Sequence, residues 1–525
     1  MPNQKTRQVV FTFFLLLYAS ASVLAHPLLN VPLDDPMVSE VYEFVDRAVL
    51  KYQLKGFLNH RRPYSYADVS DVLERLETGN YPLTAIERKR LEKLKRHFSE
   101  VDSPSLLRTT GDGYRFDLNL EVGEILTHRT KPFDPSGTEF GTQIRPIVRG
   151  KFDDSMAIIT DLRFFLITGK RFPDNLRFEA SSPVSDLDSR SAGLVPAYAK
   201  FKLKWFELLF GKDNVGWGPG RRGNLLLSAN PLPMDMIQIK AKYGKAGFNA
   251  FTGILESDID SKYLAGHRLD FNLWDRGNVG IAETLVFGQR FEARFLNPLT
   301  IYQVSELYGD TEIDGQRVQS PDNVLFGSDL AWNLFPKVEV YGELMIDDFV
   351  PNHGLDSFRN WGAKFGILAG GYWVDPFSLE DSELRVEYAF INQYAYTHRF
   401  PINQYTHFDR IIGHEIGTDA DDLWIRFQHW LTDTITATLT YELERHGEGR
   451  VTRPHPQDAP REDKWEFLSG IAETTHSVSI NARHHTVGRF LLDGEYTFSH
   501  ISNLNNQEGL DDNRQEIKLT GLYRF

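Results

Sequence analysis

Apolar and polar residues alternate with a period of two along most of this chain, from about residue 114 to the last residue. Residues 434–443 (TITATLTYEL) show this most clearly, because every second residue is apolar and threonines and a glutamate stand between them. Such alternation is typical of β-strands with one apolar and one polar face. We predict about eighteen such strands, near residues 114–126, 140–152, 155–168, 196–203, 205–211, 236–244, 246–255, 265–275, 277–287, 322–334, 337–347, 361–373, 382–392, 423–431, 434–445, 474–485, 488–499 and 514–525.

The last strand (RQEIKLTGLYRF) is the most informative of them. Its apolar face carries Ile517, Leu519, Gly521, Tyr523 and Phe525, and the opposite face is charged or polar apart from one leucine. A strand of about ten residues with one apolar and one polar face is the unit of a transmembrane β-barrel. A terminal aromatic residue on such a strand is typical of bacterial outer-membrane proteins, although a single alternating strand also fits a soluble sheet.

Short and long connections alternate between the predicted strands. The strands are separated by one or two residues at 153–154, 276, 335–336, 432–433 and 486–487, and by long stretches at 169–195, 212–235, 288–321, 393–422 and 446–473. An up-and-down barrel with short periplasmic turns and long outer loops requires this alternation, whereas a soluble β-sandwich does not. The sequence therefore predicts a mainly β fold, a transmembrane antiparallel β-barrel of about eighteen strands. A barrel of this size leaves a water-filled lumen unless something plugs it.

The hydrophobic period changes to that of helices in residues 34–100. Asp35 is a candidate N-cap with Pro36 at the first helical position, and Thr84 and Glu87 have the spacing of a capping box. Three short amphipathic helices of this kind must bury their apolar faces against one another or against a neighbour. The predicted helices cover residues 35–56, 65–79 and 84–98.

The first residues have the pattern of a secretory signal peptide. Lys5 and Arg7 precede an apolar run at residues 9–17, and small residues lead to a cleavage site after Ala25. The run is too short to span a membrane as a helix. We therefore predict a signal peptide at 1–25, a helical bundle on the periplasmic side at 26–105 and an outer-membrane β-barrel at 106–525.

Composition narrows the range of functions. The net charge of −14 over 525 residues argues against a nucleic-acid partner. The sequence has no cysteine, which excludes disulfides and thiolate metal sites. Aromatic residues make up 13% of the chain and can supply aromatic girdles at both membrane interfaces.

Residues 211–233 (GKDNVGWGPGRRGNLLLSANPLP) hold the clearest candidate chemistry. Their three spaced glycines formally match a dinucleotide fingerprint, but Pro219 interrupts the match and no helical pattern follows. The stretch also fits a glycine-rich outer loop with tight turns. A third interpretation is a glycan site, in which Trp217 offers a flat apolar face beside two arginines, which bind carboxylates bidentately. The candidate polysaccharide-binding residues are Asp213, Asn214, Trp217, Arg221, Arg222 and Asn230.

No motif predicts catalysis or a metal site. His484 and His485 are adjacent in a strand and therefore point to opposite faces. Paired carboxylates such as Asp421 and Asp422 are better explained as solvated groups than as a glycosidase pair, and no Gly-x-Ser-x-Gly elbow is present. We expect no enzyme activity, no metal and no cofactor. An outer-membrane hydrolase, with a site assembled from several strands, is the enzymatic alternative.

Several stretches resemble the Wzi family of capsule-assembly outer-membrane proteins. They are residues 211–220 (GKDNVGWGPG), 225–231 (LLLSANP), 297–300 (NPLT), 320–327 (SPDNVLFG) and 62–65 (RPYS). The resemblance implies an eighteen-stranded barrel with a helical bundle at its periplasmic end. It also implies a lectin-like role, in which the protein holds capsular polysaccharide at the cell surface without catalysis.

The sequence thus predicts an integral protein of the bacterial outer membrane that binds extracellular or capsular polysaccharide and helps to assemble or retain it at the cell surface. Its expected partners are that polysaccharide, outer-membrane lipid and lipopolysaccharide. Polysaccharide export machinery is a partner that the prediction leaves open. The alternative function is a porin-like channel for small solutes, which the barrel width favours and the helical bundle opposes.

Overall fold

Antiparallel strands dominate the computed structural model of this chain. The structure describes residues 26–99, 104–130, 136–170, 172, 190–304, 310–313, 316–319, 322–348, 362–456 and 464–525. The predicted signal peptide at 1–25 lies outside the described residues.

Eighteen strands of the described part of the chain close into one barrel. Each pairs antiparallel with its neighbours in sequence, and the last strand closes the barrel on the first through the register Glu516↔Arg129 to Arg524↔Glu121. A short strand, Leu107–Gly111, extends the ladder along the first residues of the first strand. The predicted β-barrel and its strand number are confirmed. The strands are β1 (Tyr114–Arg129), β2 (Gly137–Phe152), β3 (Met156–Gly169), β4 (Arg190–Leu203), β5 (Phe206–Asp213), β6 (Met234–Tyr243), β7 (Ala246–Leu255), β8 (Lys262–Leu273), β9 (Gly277–Gly288), β10 (Asn323–Phe335), β11 (Val338–Asp348), β12 (Lys364–Val374), β13 (Ser382–Ile391), β14 (Ala420–Trp430), β15 (Ile435–His446), β16 (Glu473–Thr486), β17 (Phe490–Ser502) and β18 (Asp512–Arg524).

Most predicted strand boundaries agree with the structure to within a few residues, and β7 covers the predicted 246–255. The largest difference is at β4, which is predicted from residue 196 and begins at Arg190. The ladder between β3 and β4 changes register between Thr160 and Leu162, close to Pro196. A β-bulge accommodates a proline that lacks an N–H group, so the strand continues through it.

The barrel has an apolar outer face and a polar inner face. Phe140 on β2 and Ile480 on β16 point outward and are 46% and 60% exposed. Residues with the opposite parity on the same strands, such as Gln143, Arg145 and Asn481, point into the lumen and are polar. This arrangement suits a barrel surrounded by lipid.

The two ends of the barrel differ in the length of their connections. At one end, the turn end, β1 begins, β18 ends and the strands are joined by residues 153–155, 204–205, 244–245, 274–276, 336–337, 375–381, 431–434 and 487–489. At the other end, the loop end, the connections include residues 214–233, 289–322, 392–419 and 447–472. The predicted alternation of short and long connections is confirmed.

In the part of the chain that the structure describes, three helices precede the barrel: α1 (Ser39–Lys51), α2 (Tyr66–Thr78) and α3 (Ala85–Phe98). Helices α2 and α3 each begin with a capping box, at Ser65 and at Thr84. The predicted capping box at Thr84 and the predicted helix start near Ser65 are both confirmed. The predicted start of α1 is wrong, because its N-cap is Val38 and no side chain caps it. Asp35 instead accepts a hydrogen bond from the Met37 N–H at 3.0 Å within a turn.

The helical segment docks on the turn end of the barrel and extends into the lumen. Thr84 donates to Asp381 at 2.6 Å, and the Gly488 N–H donates to the Met37 carbonyl at 2.9 Å. Buried apolar residues of the helices and of the barrel wall form one continuous core. The domain boundary at residue 105 stays a prediction, since the two parts share this core. Among the described residues, no helix has the length and apolar character needed to cross a membrane.

Candidate functional site

Residues 214–233, which connect β5 to β6, fold into the barrel, and we call them the lumen loop. The carboxylate of Glu343, an inward-facing residue of β11, holds the backbone of this loop. It accepts hydrogen bonds from the N–H groups of Gly220 and Leu225, at 2.9 and 2.7 Å. The glycine-rich stretch is therefore bound by the barrel wall.

The close approach of this carboxylate explains two of the glycines. Gly218 has a φ of +132°, and a Cβ there would collide with the carboxylate of Glu343. A Cβ on Gly220 would collide with the carbonyl oxygen of Gly223. Only glycine combines this backbone conformation with the absence of a side chain. The formal dinucleotide fingerprint is thus accounted for by packing inside the lumen.

The two arginines of the lumen loop are held by a second carboxylate of the wall. Glu387 on β13 accepts hydrogen bonds from the backbone N–H groups of Arg221 and Arg222, both at 2.9 Å. The Arg221 guanidinium pairs with Asp46 of α1 at 2.6 Å. The Arg222 guanidinium donates to Glu442 on β15 at 2.6 Å. The first arginine therefore ties the loop to the helical segment, and the second ties it to β15, two strands from β13.

Arg222 lies within a cluster of carboxylates. Asp422 and Glu444 each approach it to 3.7 Å, and Glu415 also pairs with it. Burial lowers the pKa of the Arg222 guanidinium, but the charges of Glu442, Glu444 and Asp422 outweigh this effect and raise it. The side chain remains 24% exposed, so part of this cluster contacts solvent.

Trp217 lies in the interior, with 1% of its surface exposed. Its backbone pairs with that of Arg61 in the helical segment, and its backbone N–H donates to the Leu227 carbonyl at 2.9 Å. Its ring packs against Phe251 on β7, with 5.4 Å between the centroids. A sugar ring would reach the indole face only if the lumen loop left the lumen.

Asp213 and Asn214 are also buried. Asp213 accepts a hydrogen bond from the side-chain amide of Asn30 at 2.7 Å and another from the Asn214 N–H at 2.9 Å. The backbone N–H of Asn30 in turn donates to the hydroxyl of Tyr198 on β4 at 2.8 Å. Asp213 therefore joins Asn30, which precedes α1, to the barrel wall, and the Asn214 N–H supports the Asp213 carboxylate.

Residues 392–419, between β13 and β14, cover the lumen loop, and we call them the cover loop. Tyr396 and Tyr405 donate their hydroxyl hydrogens to the Leu225 and Leu226 carbonyls, at 2.5 and 2.8 Å. The ring of His414 lies against Gly223, and burial lowers the pKa of this histidine to about 3. It is neutral at physiological pH. The two loops thus form one packed layer.

Asn230 connects this layer to the outer surface. Its side-chain amide donates to the Ile411 carbonyl at 2.8 Å, and the residue is half-buried. Ile411 also lines a cavity of about 320 Å³ at the loop end, which we call the outer pocket. The residues lining it come from three loops and adjoining strand ends: Ile411, Ile416, Gly417, Thr418, His446, Gly449, Arg450, Val451, Glu473, Asn505 and Asn506.

The outer pocket combines one cation with several hydrogen-bonding groups. Arg450 is exposed and is held in place by its hydrogen bonds to the Gly447 carbonyl at 2.8 Å, the Gly449 carbonyl at 2.6 Å and the Asn506 side chain at 2.6 Å. These bonds use three of the five guanidinium donors. Glu473 supplies a carboxylate at the same cavity. Such a pocket can bind polar, hydroxyl-rich groups.

Sequence reasoning missed the outer pocket and both carboxylates that hold the lumen loop. Glu343 and Glu387 belong to the polar face of their strands, and alternation shows only that they point inward. The residues of the outer pocket lie on three separate loops, so no local motif marks them. Within the described parts of the chain, no group of three or more histidine, aspartate, glutamate or cysteine side chains could hold a metal ion.

A family model described as "Capsule assembly protein Wzi" matches residues 138–516. The chain belongs to the Wzi capsule assembly family. No curated protein sequence matches it. Membership in the Wzi family, together with the barrel and its apolar outer face, makes this an integral protein of the bacterial outer membrane. Outer-membrane barrels have short periplasmic turns and longer outer loops, which predicts that the loop end faces the outside and the turn end faces the periplasm.

Solved structures share the architecture. The chain is similar to Wzi of Escherichia coli, an outer-membrane protein involved in group 1 capsule assembly and a carbohydrate-binding β-barrel, with a TM-score of 0.58 and 13% identity over 94% of this chain and 99% of that chain. At this identity the likeness establishes the fold. Two Pseudomonas aeruginosa barrels also match. OpdK with vanillate has a TM-score of 0.45 and 8% identity, and the match covers 78% of this chain and 98% of that chain. OprD has a TM-score of 0.44 and 8% identity, and the match covers 78% of this chain and 95% of that chain.

Proposed function

We propose that this protein binds capsular or other extracellular polysaccharide at its outer mouth and helps to assemble or retain the polymer at the cell surface, without catalysis. The observation that carries the proposal is the outer pocket. It faces the outside in a member of a capsule assembly family, and it presents a held arginine, a carboxylate and amide groups at one cavity. The carbohydrate binding of the structurally similar E. coli protein supports it.

The polymer contacts the rims of the three loops that form the pocket. Arg450 donates its remaining N–H groups to sugar hydroxyl or carboxylate oxygens, and Glu473 accepts from hydroxyl groups. Of the residues predicted from sequence, Arg222 and Asn230 keep solvent contact, and we propose that they add to the polymer-binding surface beside the outer pocket. Asp213, Asn214, Trp217 and Arg221 contribute by holding the lumen loop in its position.

Retention of polysaccharide by cells tests the proposal. Cells that produce Arg450→Gln, or Glu473→Gln, are compared with wild-type cells for the amount of polymer attached to cells and released into the medium. We expect polymer to shift from the cells to the medium, because one charge-assisted hydrogen bond is worth about 1.5–3 kcal/mol, or roughly tenfold or more in affinity.

Arg453→Gln is the matched control, since Arg453 is an exposed arginine three residues away that does not line the pocket. Its retention should equal that of wild type. Equal retention in the Arg450, Glu473 and Arg453 variants, with equal amounts of barrel in the outer membrane, would remove the outer pocket from the account. Export machinery for the polymer is a further partner that we propose for the periplasmic side.

A further inference from the structure

Residues 289–304, the first part of the connection from β9 to β10, lie against the outer face of the barrel, and we call them the strap. The hydroxyl of Thr252 on β7 donates a hydrogen bond to the Phe295 carbonyl at 3.1 Å. Thr252 points away from the lumen, because it has the same parity on its strand as Ile254, which is 58% exposed. The strap is therefore outside the barrel, whereas the lumen loop and the cover loop fold inward.

Aromatic side chains pack the strap onto the wall. Phe295 lies against Phe287 on β9 with 4.8 Å between the ring centroids, and Tyr302 lies against His267 on β8 at 4.7 Å. Phe295 and Tyr302 are both buried, and they share a cluster with outward-facing residues of β8, β9 and β10, which are Ala265, Leu285, Phe287 and Val324. The strap is thus a packed part of the fold.

A polar pair lies beneath the strap, on a face of the barrel that is largely apolar. His267 on β8 and Glu283 on β9 are cross-strand neighbours, with 3.2 Å between Nε2 and Oε2. Glu283 has the same outward parity as the exposed Ile281. Its carboxylate also accepts hydrogen bonds from the backbone N–H groups of Tyr302 and Gln303, at 3.0 and 3.4 Å. Without the strap, these ionisable groups would face lipid.

The height of the strap on the barrel can be counted along β8. Trp274, in the turn after β8, is exposed and fits an aromatic girdle at the turn end. His267 and Tyr263 precede it by seven and eleven residues, which places them about 18 and about 28 Å above it at about 3.3 Å per residue and a tilt of about 40°. The apolar band of such barrels is about 25 Å tall. Tyr302 and Phe291 contact these two residues, so the strap spans the edge of the band nearer the loop end.

The side of the strap that faces away from the barrel is apolar. Its exposed large apolar residues are Phe291, Leu296, Leu299, Ile301 and Val304. As far as the structure describes their side chains, the other connections at the loop end expose at most one such residue each. An exposed apolar set of this kind marks an interaction surface. It adjoins Ile254 and Ile281 of the exposed apolar wall, so the strap continues the lipid-facing surface of the barrel.

The polar groups of the strap suit this position. The backbone N–H groups of Phe295 and Asn297 donate within the strap, to the Glu292 and Arg294 carbonyls at 3.1 and 3.2 Å. Backbone groups near hydrocarbon require such partners. The side chains of Glu292 and Arg294 pair with each other at 2.5 Å. Arg290, the remaining charged residue of the strap, follows the end of β9 by two residues, at the height of the lipid headgroups.

We propose that the strap docks on membrane lipid, with its exposed apolar side chains among the acyl chains at the headgroup boundary of the leaflet at the loop end. Interfacial elements of this kind bury their apolar face about 5–10 Å into that boundary. The strap thereby shields the His267–Glu283 pair from hydrocarbon. Its partner is the acyl region of the surrounding lipid, and the inference is independent of polysaccharide binding.

Site-directed spin labelling tests the position of the strap, because the chain has no cysteine and a single label can be placed at will. Leu296→Cys and Leu299→Cys put the label on the strap. Leu510→Cys puts it on the connection from β17 to β18 and is the matched control, since Leu296 and Leu510 are both 43% exposed. Leu269→Cys marks the lipid-facing wall of β8.

The labelled full chain is reconstituted in phosphatidylcholine vesicles and studied by electron paramagnetic resonance. Oxygen, which partitions into hydrocarbon, and nickel–EDDA, which stays in water, are the two relaxing agents. Labels at Leu296, Leu299 and Leu269 should be more accessible to oxygen than to nickel, and the label at Leu510 should show the reverse. Strap labels that respond as the label at Leu510 does would overturn the proposal, because the strap would then face water.

A further variant tests what holds the strap on the wall. Glu283→Leu removes the acceptor for the Tyr302 and Gln303 N–H groups, so a label at Leu299 should become more mobile and more accessible to nickel. Glu124→Leu is the matched control, since Glu124 is an outward-facing glutamate on β1 that accepts a hydrogen bond from Thr142 at 3.0 Å.

Unchanged mobility of the Leu299 label in folded Glu283→Leu would overturn the role of this carboxylate in docking the strap. Heat-modifiability on a gel shows whether each variant is folded. If Glu283→Leu does not fold, the oxygen and nickel accessibilities of the Leu296 and Leu299 labels decide alone: a preference for oxygen supports the lipid-docked strap, and a preference for nickel rejects it.

Discussion

The guanidinium of Arg524, on the last strand of the barrel, donates a hydrogen bond to Asp35, which precedes the first helix, at 2.8 Å. Arg145 on β2 shares the same carboxylate at 3.1 Å. Burial alone would raise the pKa of Asp35, but the charges of Arg145 and Arg524 outweigh it and hold the pKa well below its usual value. Asp35 is therefore ionised, and it joins the helical segment to both sides of the barrel seam.

Asp35→Asn should destabilise the folded protein by about 1–3 kcal/mol, because the substitution leaves two buried arginines with one carboxylate fewer. Urea unfolding in detergent, followed by intrinsic fluorescence, measures the effect. Asp71→Asn is the control, since Asp71 forms an exposed ion pair with Arg75 on α2, and such pairs contribute roughly 0–1 kcal/mol. Equal stability of the Asp35 variant and wild type would show that this link does not hold the segment.

Trp217→Ala should destabilise the lumen loop by roughly 3–5 kcal/mol, because it removes a fully buried aromatic side chain. The loss should appear as a lower unfolding midpoint and as faster proteolysis of residues 214–233. Trp274→Ala is the control, since Trp274 is 77% exposed at the turn end. A variant that loses polymer binding with unchanged stability and proteolysis would instead mean that the Trp217 indole contacts the sugar.

Acidification should loosen the cover loop. Burial lowers the pKa of His407 to about 4 and that of His414 to about 3, from an ordinary value of 6.5. The unfolded loop therefore binds more protons than the folded loop in this range. Stability is complete above pH 6.5 and is lost as the pH falls toward 4, by up to about 1.4 kcal/mol per pH unit for each histidine.

Hydrogen exchange of residues 392–419 at pH 7.5 and 5 checks this expectation. Protection, taken relative to the intrinsic exchange rate at each pH, should fall at pH 5 in the cover loop and the lumen loop beneath it and should be unchanged elsewhere. His414→Gln should reduce the dependence on pH, because one titrating group is removed. Equal protection of the cover loop at both values would contradict the account.

The full-length protein should show little conductance in planar bilayers. The helical segment, the lumen loop and the cover loop pack together on one side of the lumen, and residues 34–39 close the other side. Glu343→Ala combined with Glu387→Ala should raise conductance, because both carboxylates that hold the lumen loop are lost. A large, stable conductance in wild type would favour the channel alternative.

The strands could be predicted because a membrane barrel imposes the same alternation on every strand. Each strand must place apolar side chains toward lipid and polar ones toward the lumen, so β7 and β15 are visible in the sequence alone. The capping box at Thr84 is equally local, since Thr84 and Glu87 are close in sequence. Asp35 shows what local patterns do not reveal. The pair Asp35-Pro36 fits the start of a helix, but the partners of Asp35 are Arg145 and Arg524, which lie far along the chain.

The site was harder to predict, because its contacts also join residues that are far apart in the sequence. A loop rich in glycine, tryptophan and arginine has the same composition whether it lies in the lumen or outside. What holds the lumen loop in the barrel is Glu343, which lies 123 residues from Gly220. The outer pocket likewise depends on the spatial meeting of three loops, which no single stretch of sequence records.

The most direct test of the central claim is binding of the organism's own surface polysaccharide to the purified, detergent-solubilised protein. Titration calorimetry would measure it, with heat-modifiability on a gel confirming that the barrel is folded. The account predicts saturable binding that Arg450→Gln weakens and Arg453→Gln does not. A folded barrel that binds neither this polymer nor any acidic or neutral polysaccharide in a panel would contradict it.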